Sequence, residues 1–306
     1  VKTATEFSVA VFPLEVITVK VYYLSIICFV TLALAIKSTC LCSELIYQDN
    51  PNIQITCNNI EYDGSILIEG TSPNLNRVWF CVRSPQQDLS LWYADVVDQK
   101  FNVKVNLRSG PGKYTIWADD NPNRFDGRTL LTVYNQSEET RYTSASMYVD
   151  SESPEIVELS STLAPEDLSP RKKLENIYTW ITKNVAYDYD AFLADDIKTV
   201  KASQVLANKK GLCGDFAFLF AALARSSGLP AKVVYGYGCP SKTNNQWRLH
   251  AWNEVLVDGE WLHIDCSWDA GIIVHGFYYH VNSQAYLAPD PDEFNLSHRV
   301  IYDTMH

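Results

Sequence analysis

Between about residue 44 and residue 150, apolar and polar residues alternate in short runs separated by turn-forming residues. Seven runs show the two-residue period of a half-buried strand: Ile53–Cys57, Ser65–Glu69, Arg77–Arg83, Leu91–Val97, Phe101–Leu107, Tyr114–Ala118 and Thr129–Tyr134. Ser-Pro, Gly-Pro-Gly and Asp-Gly sequences punctuate them. Many short strands in so little chain predict an antiparallel β-sandwich of immunoglobulin type. The stretch from Gly110 to Tyr114, followed by strict alternation, reads as a hairpin.

A polar stretch, 137–153, ends this pattern and the period then changes. Pro154–Leu163 and Pro170–Asn184 carry helical spacing. In the second, Ser169 stands at the N-cap, Pro170 opens the first turn, and Leu174, Ile177, Tyr178 and Ile181 form one apolar stripe. Ala202–Ala207 reads as a short third helix. From Phe216 to Ala224 the chain is apolar on every face, which predicts a central buried helix opening at Cys213 and stopping at Gly228 and Pro230. Two strands joined by Asp258-Gly259 follow. The expected architecture is α+β, with a sandwich domain at 44–150 and a second domain at 151–306.

Residues 1–43 form a separate region. Between Lys20 and Lys37 lie 16 uncharged, mostly apolar residues. As a helix they would span about 24 Å, short of a ~30 Å hydrocarbon core. That length suits the apolar part of a signal peptide or a marginal anchor, with Lys20 as its basic flank and Val19-Lys20 near the real beginning of the protein. The expected location is therefore extracellular or at the cell surface, with membrane contact through this segment alone. Cys40 and Cys42 follow the run, but Lys37 stands where a lipidation motif wants Leu.

Composition narrows the function. The chain of 306 residues is 47% hydrophobic and 20% charged, enough for packed cores. Its net charge of −11 argues against a nucleic-acid partner. Eight cysteines are too few for a small disulfide scaffold, and their spacing does not suit structural zinc. Asp119 to Gly127 begins like a calcium loop, but Arg124 takes the place of the required Gly and Leu130 that of the bidentate Glu. It reads as a solvated hairpin loop. No metal or cofactor is expected.

The candidate chemistry is nucleophilic. Cys213 at a helix N-terminus gains from the macrodipole, and its neighbour Gly214 leaves room for a substrate backbone to approach. His250 starts one strand of the Asp258-Gly259 hairpin and Asp265 ends the other, so the two lie side by side. The Asp can orient the imidazole, and the imidazole can activate the thiol: nucleophile, base and orienter in the order Cys213, His250, Asp265. A structural histidine beside a turn aspartate is the bland alternative.

GLCGDFAFLFAALARSSGLPAKVVYGY followed by HAWNEVLVDGEWLHIDCSWD resembles the transglutaminase-like superfamily core, over roughly 154–306. The β-rich segment ahead of it also looks like exported bacterial members. The resemblance implies a papain-like α+β fold and places the family's triad on Cys213, His250 and Asp265. It implies a cysteine hydrolase, a peptidase or amidase, acting on protein or peptide amides through a thioester, cell-wall peptide included. Family members also cross-link glutamine to amines, and others have lost activity, so a transferase and a non-catalytic surface scaffold stand as alternatives.

Several neighbours invite a role. Trp252 is read as substrate-binding beside Gly214, with Trp261 and Trp268 as further walls. The segment from Tyr187 to Asp196 reads as a solvated acidic loop, and Cys239 to Arg248 as a cleft rim. His263 is a rival base. His298 has no evident partner. Cys266 could pair with Cys239, and Cys57 with Cys81.

Overall fold

The computed structural model describes residues 46–56, 61–195, 197–240 and 246–303. The apolar run at 21–36, Cys40, Cys42 and Cys57 with its proposed bridge, Asp196 and the middle of the expected cleft rim fall outside these residues. No helix among the described residues is long and apolar enough to cross a membrane.

The first part is all strand: β1 (Ile46–Gln48), β2 (Gln54–Thr56), β3 (Glu61–Tyr62), β4 (Ser65–Thr71), β5 (Arg77–Arg83), β6 (Leu89–Asp95), β7 (Lys100–Asn106), β8 (Gly112–Asp119) and β9 (Thr129–Asn135). They form two sheets, β2-β4-β7 and β1-β9-β8-β5-β6, with β3 added in parallel to β9. Alternation places Ile66 and Ile68, Val78, Phe80 and Val82, Ile116 and Ala118, and Leu131 and Val133 in one shared core. Leu67, between two buried isoleucines, points outward and is 54% exposed.

All seven expected strands are present, but one connection differs. The Gly110 turn is not a hairpin: β7 pairs with β4, and β8 pairs with β5 and β9 in the other sheet. The turn is an arch between sheets. Tyr114 Oη holds it, accepting from Ser109 N (2.9 Å) and lying 2.9 Å from the Gly110 carbonyl oxygen. The Asn135 carboxamide donates to the carbonyls of Leu107 and Gly110. These partners satisfy a backbone that no strand neighbour can reach. In the loop once compared with a calcium site, both Asp119 oxygens accept from backbone, at Asp120 and Asp126.

The second part runs α1 (Pro154–Leu163), α2 (Pro170–Asn184), β10 (Ala186–Tyr187), α3 (Tyr189–Ala194), α4 (Ala202–Asn208), β11 (Lys210–Gly211), α5 (Cys213–Ser226), β12 (Ala231–Gly238), β13 (Arg248–Val257), β14 (Glu260–Ile264), α6 (Cys266–Asp269), β15 (Gly271–Val274), β16 (Phe277–His280), α7 (Pro291–Asn295) and β17 (His298–Asp303). Helix α5 is the axis of the core. Every residue from Asp215 to Arg225 is buried, with α1, α2 and α4 around it and the antiparallel sheet β14-β13-β12-β17 on its other side. The molecule is thus α+β: a two-sheet antiparallel region followed by a helix-on-sheet core.

The acidic segment read as a loop is α3 instead. Asp188 caps it, accepting from Ala191 N at 2.9 Å, and pairs with Lys210 at 2.8 Å. Phe192 packs on Tyr187 and Tyr189. Charge had masked an aromatic anchor.

Candidate active site

Two local structures present the site. The first is the turn into α5. Asp215, in the first helical turn, accepts from Leu212 N at 2.8 Å and folds the approach to Cys213. Gly211 makes this possible, because a Cβ there would lie 2.6 Å from the Asp215 Cβ. The N–H groups of the first helical turn have no intrahelical acceptor, so this end carries partial positive charge beside the thiol. Cys213 is half-buried, and a Cβ on Gly214 would meet nothing within 4 Å.

The second is the β13–β14 hairpin, turned at Asp258 (φ 53°) and Gly259 (φ 88°). It brings His250 to Asp265, with Nε2 donating to Oδ2 at 2.7 Å. The ring's other nitrogen is left for Cys213, whose side chain lies near enough to favour the charged imidazole. The structure thus brings Cys213, His250 and Asp265 together in the expected order. Trp268 stacks on the His250 ring at 4.9 Å, and Gly238 lies against both rings, where a Cβ would come 2.9 Å from Trp268 and 3.0 Å from His250.

Asp265 is only 1% exposed and caps α6. Its Oδ1 accepts from Ser267 N, Ser267 Oγ and Trp268 N at 2.9, 2.7 and 3.2 Å. Burial alone would neutralise this carboxyl. The His250 charge and the hydrogen bonds from His250 and His298 override burial and hold it far below the carboxylate range. Burial likewise opposes charge on His250, but the Asp265 charge, the hydrogen bond to it and the Cys213 partner carry the imidazole up to about 10. The ring is a cation at neutral pH, poised to stabilise a thiolate.

The other described cysteines lack this setting. Burial, with Asp265 and Asp269 nearby, pushes Cys266 well up, and burial lifts Cys81 to about 11. The Cys239–Cys266 bridge is not formed. Cys266 opens α6 inside the helical core, whereas Cys239 follows β12 and its N–H donates to Ser297 O.

Trp252 is not a substrate contact. It is 1% exposed, packed between Val234 and Phe294 beneath the sheet, and has no surface to offer. Trp261 packs edge-on against Tyr142 under Lys232. Trp252 and Trp268 both stack on the imidazole, and Trp268 is the half-buried one of the two. His263 is no rival base: burial lowers its pKa, and it faces Glu254 and stacks on Phe294. A surface groove of about 700 Å³ lies along α2, lined by Arg171, Lys172, Trp180 and Lys183 rather than by the triad.

Two residues were missed. Tyr187 is held beside Cys213 by the parallel pairing of β10 with β11, and burial first, then the charges of Cys213 and Asp265, push its phenol up. His298, on β17, puts Nε2 3.2 Å from the same Asp265 oxygen that His250 uses. His250, Asp265 and His298 are a group that could in principle hold a metal ion, with ligand atoms within 4.8 Å of one another. The hydrogen bonds among them account for that spacing, and the sequence carried no local signal for it.

Comparison with known proteins agrees with this core. Residues 158–266 match the model of the transglutaminase-like superfamily. Kyphoscoliosis peptidase of Mus musculus is 31% identical over 121 residues, which is 38% of this chain and 18% of that protein. The chain thus spans under a fifth of the mammalian relatives it matches. An uncharacterized protein of Mycobacterium tuberculosis is 24% identical over 198 residues, 61% of this chain and 58% of its own length. Among solved structures, a candidate cysteine protease from Cytophaga hutchinsonii aligns with TM-score 0.36 at 17% identity, over 73% of this chain and 70% of that one. Red sea bream transglutaminase aligns with TM-score 0.28 at 10% identity, over 67% and 48%. Cys213, His250 and Asp265 all lie inside the matched segment and His298 outside it, so the chain carries a transglutaminase-like superfamily domain at 158–266.

Proposed function

We propose that the chain is a cysteine hydrolase of peptide or protein amide bonds. One observation carries the reading: at the open end of a buried helix the Cys213 thiol stands beside the His250 imidazole, whose Nε2 donates to Asp265 Oδ2. The Cys213 thiolate attacks the amide carbonyl, and His250 protonates the leaving amine as the tetrahedral intermediate collapses to a thioester. Water, deprotonated by His250, then releases the acid. The N–H of Cys213 at the helix start is the best-placed donor to the oxyanion. Gly214, with open space beside it, is where a substrate backbone approaches.

Export belongs to the same proposal, resting on the apolar run at 21–36, and makes extracellular protein or peptide the substrate class. The sandwich, with sheets β2-β4-β7 and β6-β5-β8-β9 and a tyrosine at its inter-sheet arch, supports an immunoglobulin-like reading. It would serve as a binding or spacer module.

The test is the pH dependence of Cys213 alkylation, followed by peptide mapping, with His250→Ala as control. A thiolate–imidazolium pair labels fast well below pH ~7 and loses that limb in the control. Hydrolysis of peptide amides that vanishes in Cys213→Ala completes the assignment, whereas faster amine incorporation than hydrolysis would make the protein a transferase. Labelling that rises only near pH ~8.5 and ignores His250 would overturn catalysis and leave a surface binding protein.

A further inference from the structure

His298 lies 33 residues beyond Asp265 and outside the segment that matches the superfamily, yet it enters the site at its most buried point. Strand β17 pairs with β12, and the register sets His298 opposite Gly238, the residue against the His250 ring. The His298 side chain is 1% exposed. Its Nδ1 lies 2.9 Å from Ser297 Oγ and its Nε2 3.2 Å from Asp265 Oδ2. Ser297 Oγ also lies 3.2 Å from Phe294 O, and a carboxylate can only accept, so Nε2 carries the proton that His298 gives to Asp265. Burial and the nearby His250 cation both disfavour a second positive ring, and the His298 pKa is accordingly lowered.

Asp265 does not need His298 to hold its orientation, since three donors already fix Oδ1. What His298 changes is Oδ2, the oxygen that faces the base. We propose that His298 is a positioning residue that shares Asp265 Oδ2 with His250 and thereby weakens the carboxylate's hold on the imidazolium proton. A donor to a carboxylate disperses its charge, and the remaining partner feels less of it. A general acid must release its proton to the leaving amine, so an imidazolium bound too firmly is a poor one. The consequence for turnover rests on the hydrolase reading above; the effect on His250 does not.

The ionisable groups around this carboxylate are known. His250 reaches it from β13 and Cys213 lies beyond that ring on α5. Asp269 and Cys266 sit on α6, Tyr178 Oη donates from α2 to the Asp265 carbonyl oxygen or to Asp269, and the Tyr286 ring packs on His298. Of these, only His250 and His298 share Oδ2.

The ring also packs: Phe294 lies flat on it at 3.8 Å and Trp268 tilts against it at 4.3 Å. Two variants separate packing from hydrogen bonding. His298→Phe keeps an aromatic ring and loses the donor. His298→Gln loses the ring and keeps an N–H that can reach Oδ2. The readout is the titration of the His250 ring by proton–carbon NMR in the full chain carrying Cys213→Ala, which removes the thiol's own contribution to the His250 pKa. The expected result is an upward shift of about half to one pH unit in His298→Phe, reversed in His298→Gln. Thermal unfolding of each variant reports on the fold, and a purely packing residue would show the loss in His298→Gln instead. A His250 titration that is unchanged or lowered in folded His298→Phe overturns the proposal. A shift as expected in a protein that hydrolyses no amide would keep it and remove the hydrolase reading, and amidase activity with an unmoved titration would do the reverse.

Discussion

Asp265 gathers five donors on two oxygens while almost fully buried, and this is what makes the site a charged one. The linkage gives a stability signature. His250 has a folded pKa of about 10 against an ordinary 6.5, so the folded state holds a proton that the unfolded chain releases. Stability from this pair is complete below pH ~6.5 and is lost as pH rises toward about 10. Asp265 acts at the other end: its folded pKa is depressed, so its share is present above pH ~4 and is lost only in strong acid. The melting temperature should therefore fall between pH ~6.5 and 10, and His250→Ala should flatten that fall, the two curves converging at the alkaline end. Parallel curves would mean that the imidazole is not held as a cation. The triad was legible because each member sits at a local landmark: a helix start and the two ends of one hairpin. His298 was not, because its partner lies across strand pairings that no short-range pattern encodes.

Helix α5 shows how one element both builds the core and exposes the nucleophile. Its apolar residues from Phe216 to Ala224 wrap the whole circumference, and polar side chains stand only in its first and last turns. Two glycines flank Cys213 with opposite constraints. Gly211 is buried and has Asp215 within 2.6–3.1 Å of where a Cβ would stand, so Gly211→Ala must push away the carboxylate that binds Leu212 N. That should displace Cys213 and lower its alkylation rate at pH 6 by tenfold or more, since misplacement of about 1 Å is costly to a reacting pair. Gly214→Ala meets no atom and improves helix propensity, so urea midpoints should show ~0.5–1 kcal/mol more stability. Its added methyl stands in the space assigned to substrate, and a raised KM with unchanged alkylation would place the substrate there. Strands and helices with a strong period were legible to within a few residues. The short edge strands β1 and β3, the capped turn α6 and the α3 helix were not, because capping and tertiary pairing rather than periodicity hold them.

The polar stretch 137–153 reads as a boundary, but the folded chain uses it as a belt. Ala145, Met147 and Val149 are buried in it, and its backbone bonds to both sides. Asn106 of the sandwich donates to Ala145 O at 3.1 Å, and Lys104 pairs with Glu152 at 2.6 Å. On the other side, Ala202 N donates to Tyr148 O and Ala231 N to Tyr142 O, both near 2.9 Å. Arg225, in the last turn of α5, closes the arrangement from within: Nε and Nη2 donate to Ala231 O, and Nη1 to Ser144 O at 3.0 Å. This guanidinium is 4% exposed, and three of its nitrogens donate to those two backbone carbonyls. Replacing it by methionine keeps much of the volume and strands those oxygens, at ~1–3 kcal/mol for each one left unsatisfied. Arg225→Met should therefore lower the urea unfolding free energy by ~2–4 kcal/mol. Hydrogen exchange should also quicken at the Ala202 and Ala231 amides while the β5–β8 pairing of the sandwich stays protected. The same loss of protection spread evenly through β5 and β8 would mean that the belt couples the two parts into one cooperative unit. Confined to the belt, it would make 137–153 a seam about which the sandwich and the helix-on-sheet core unfold separately, and the position of Cys213, at the far end of the helix that Arg225 anchors, would be set by the core alone.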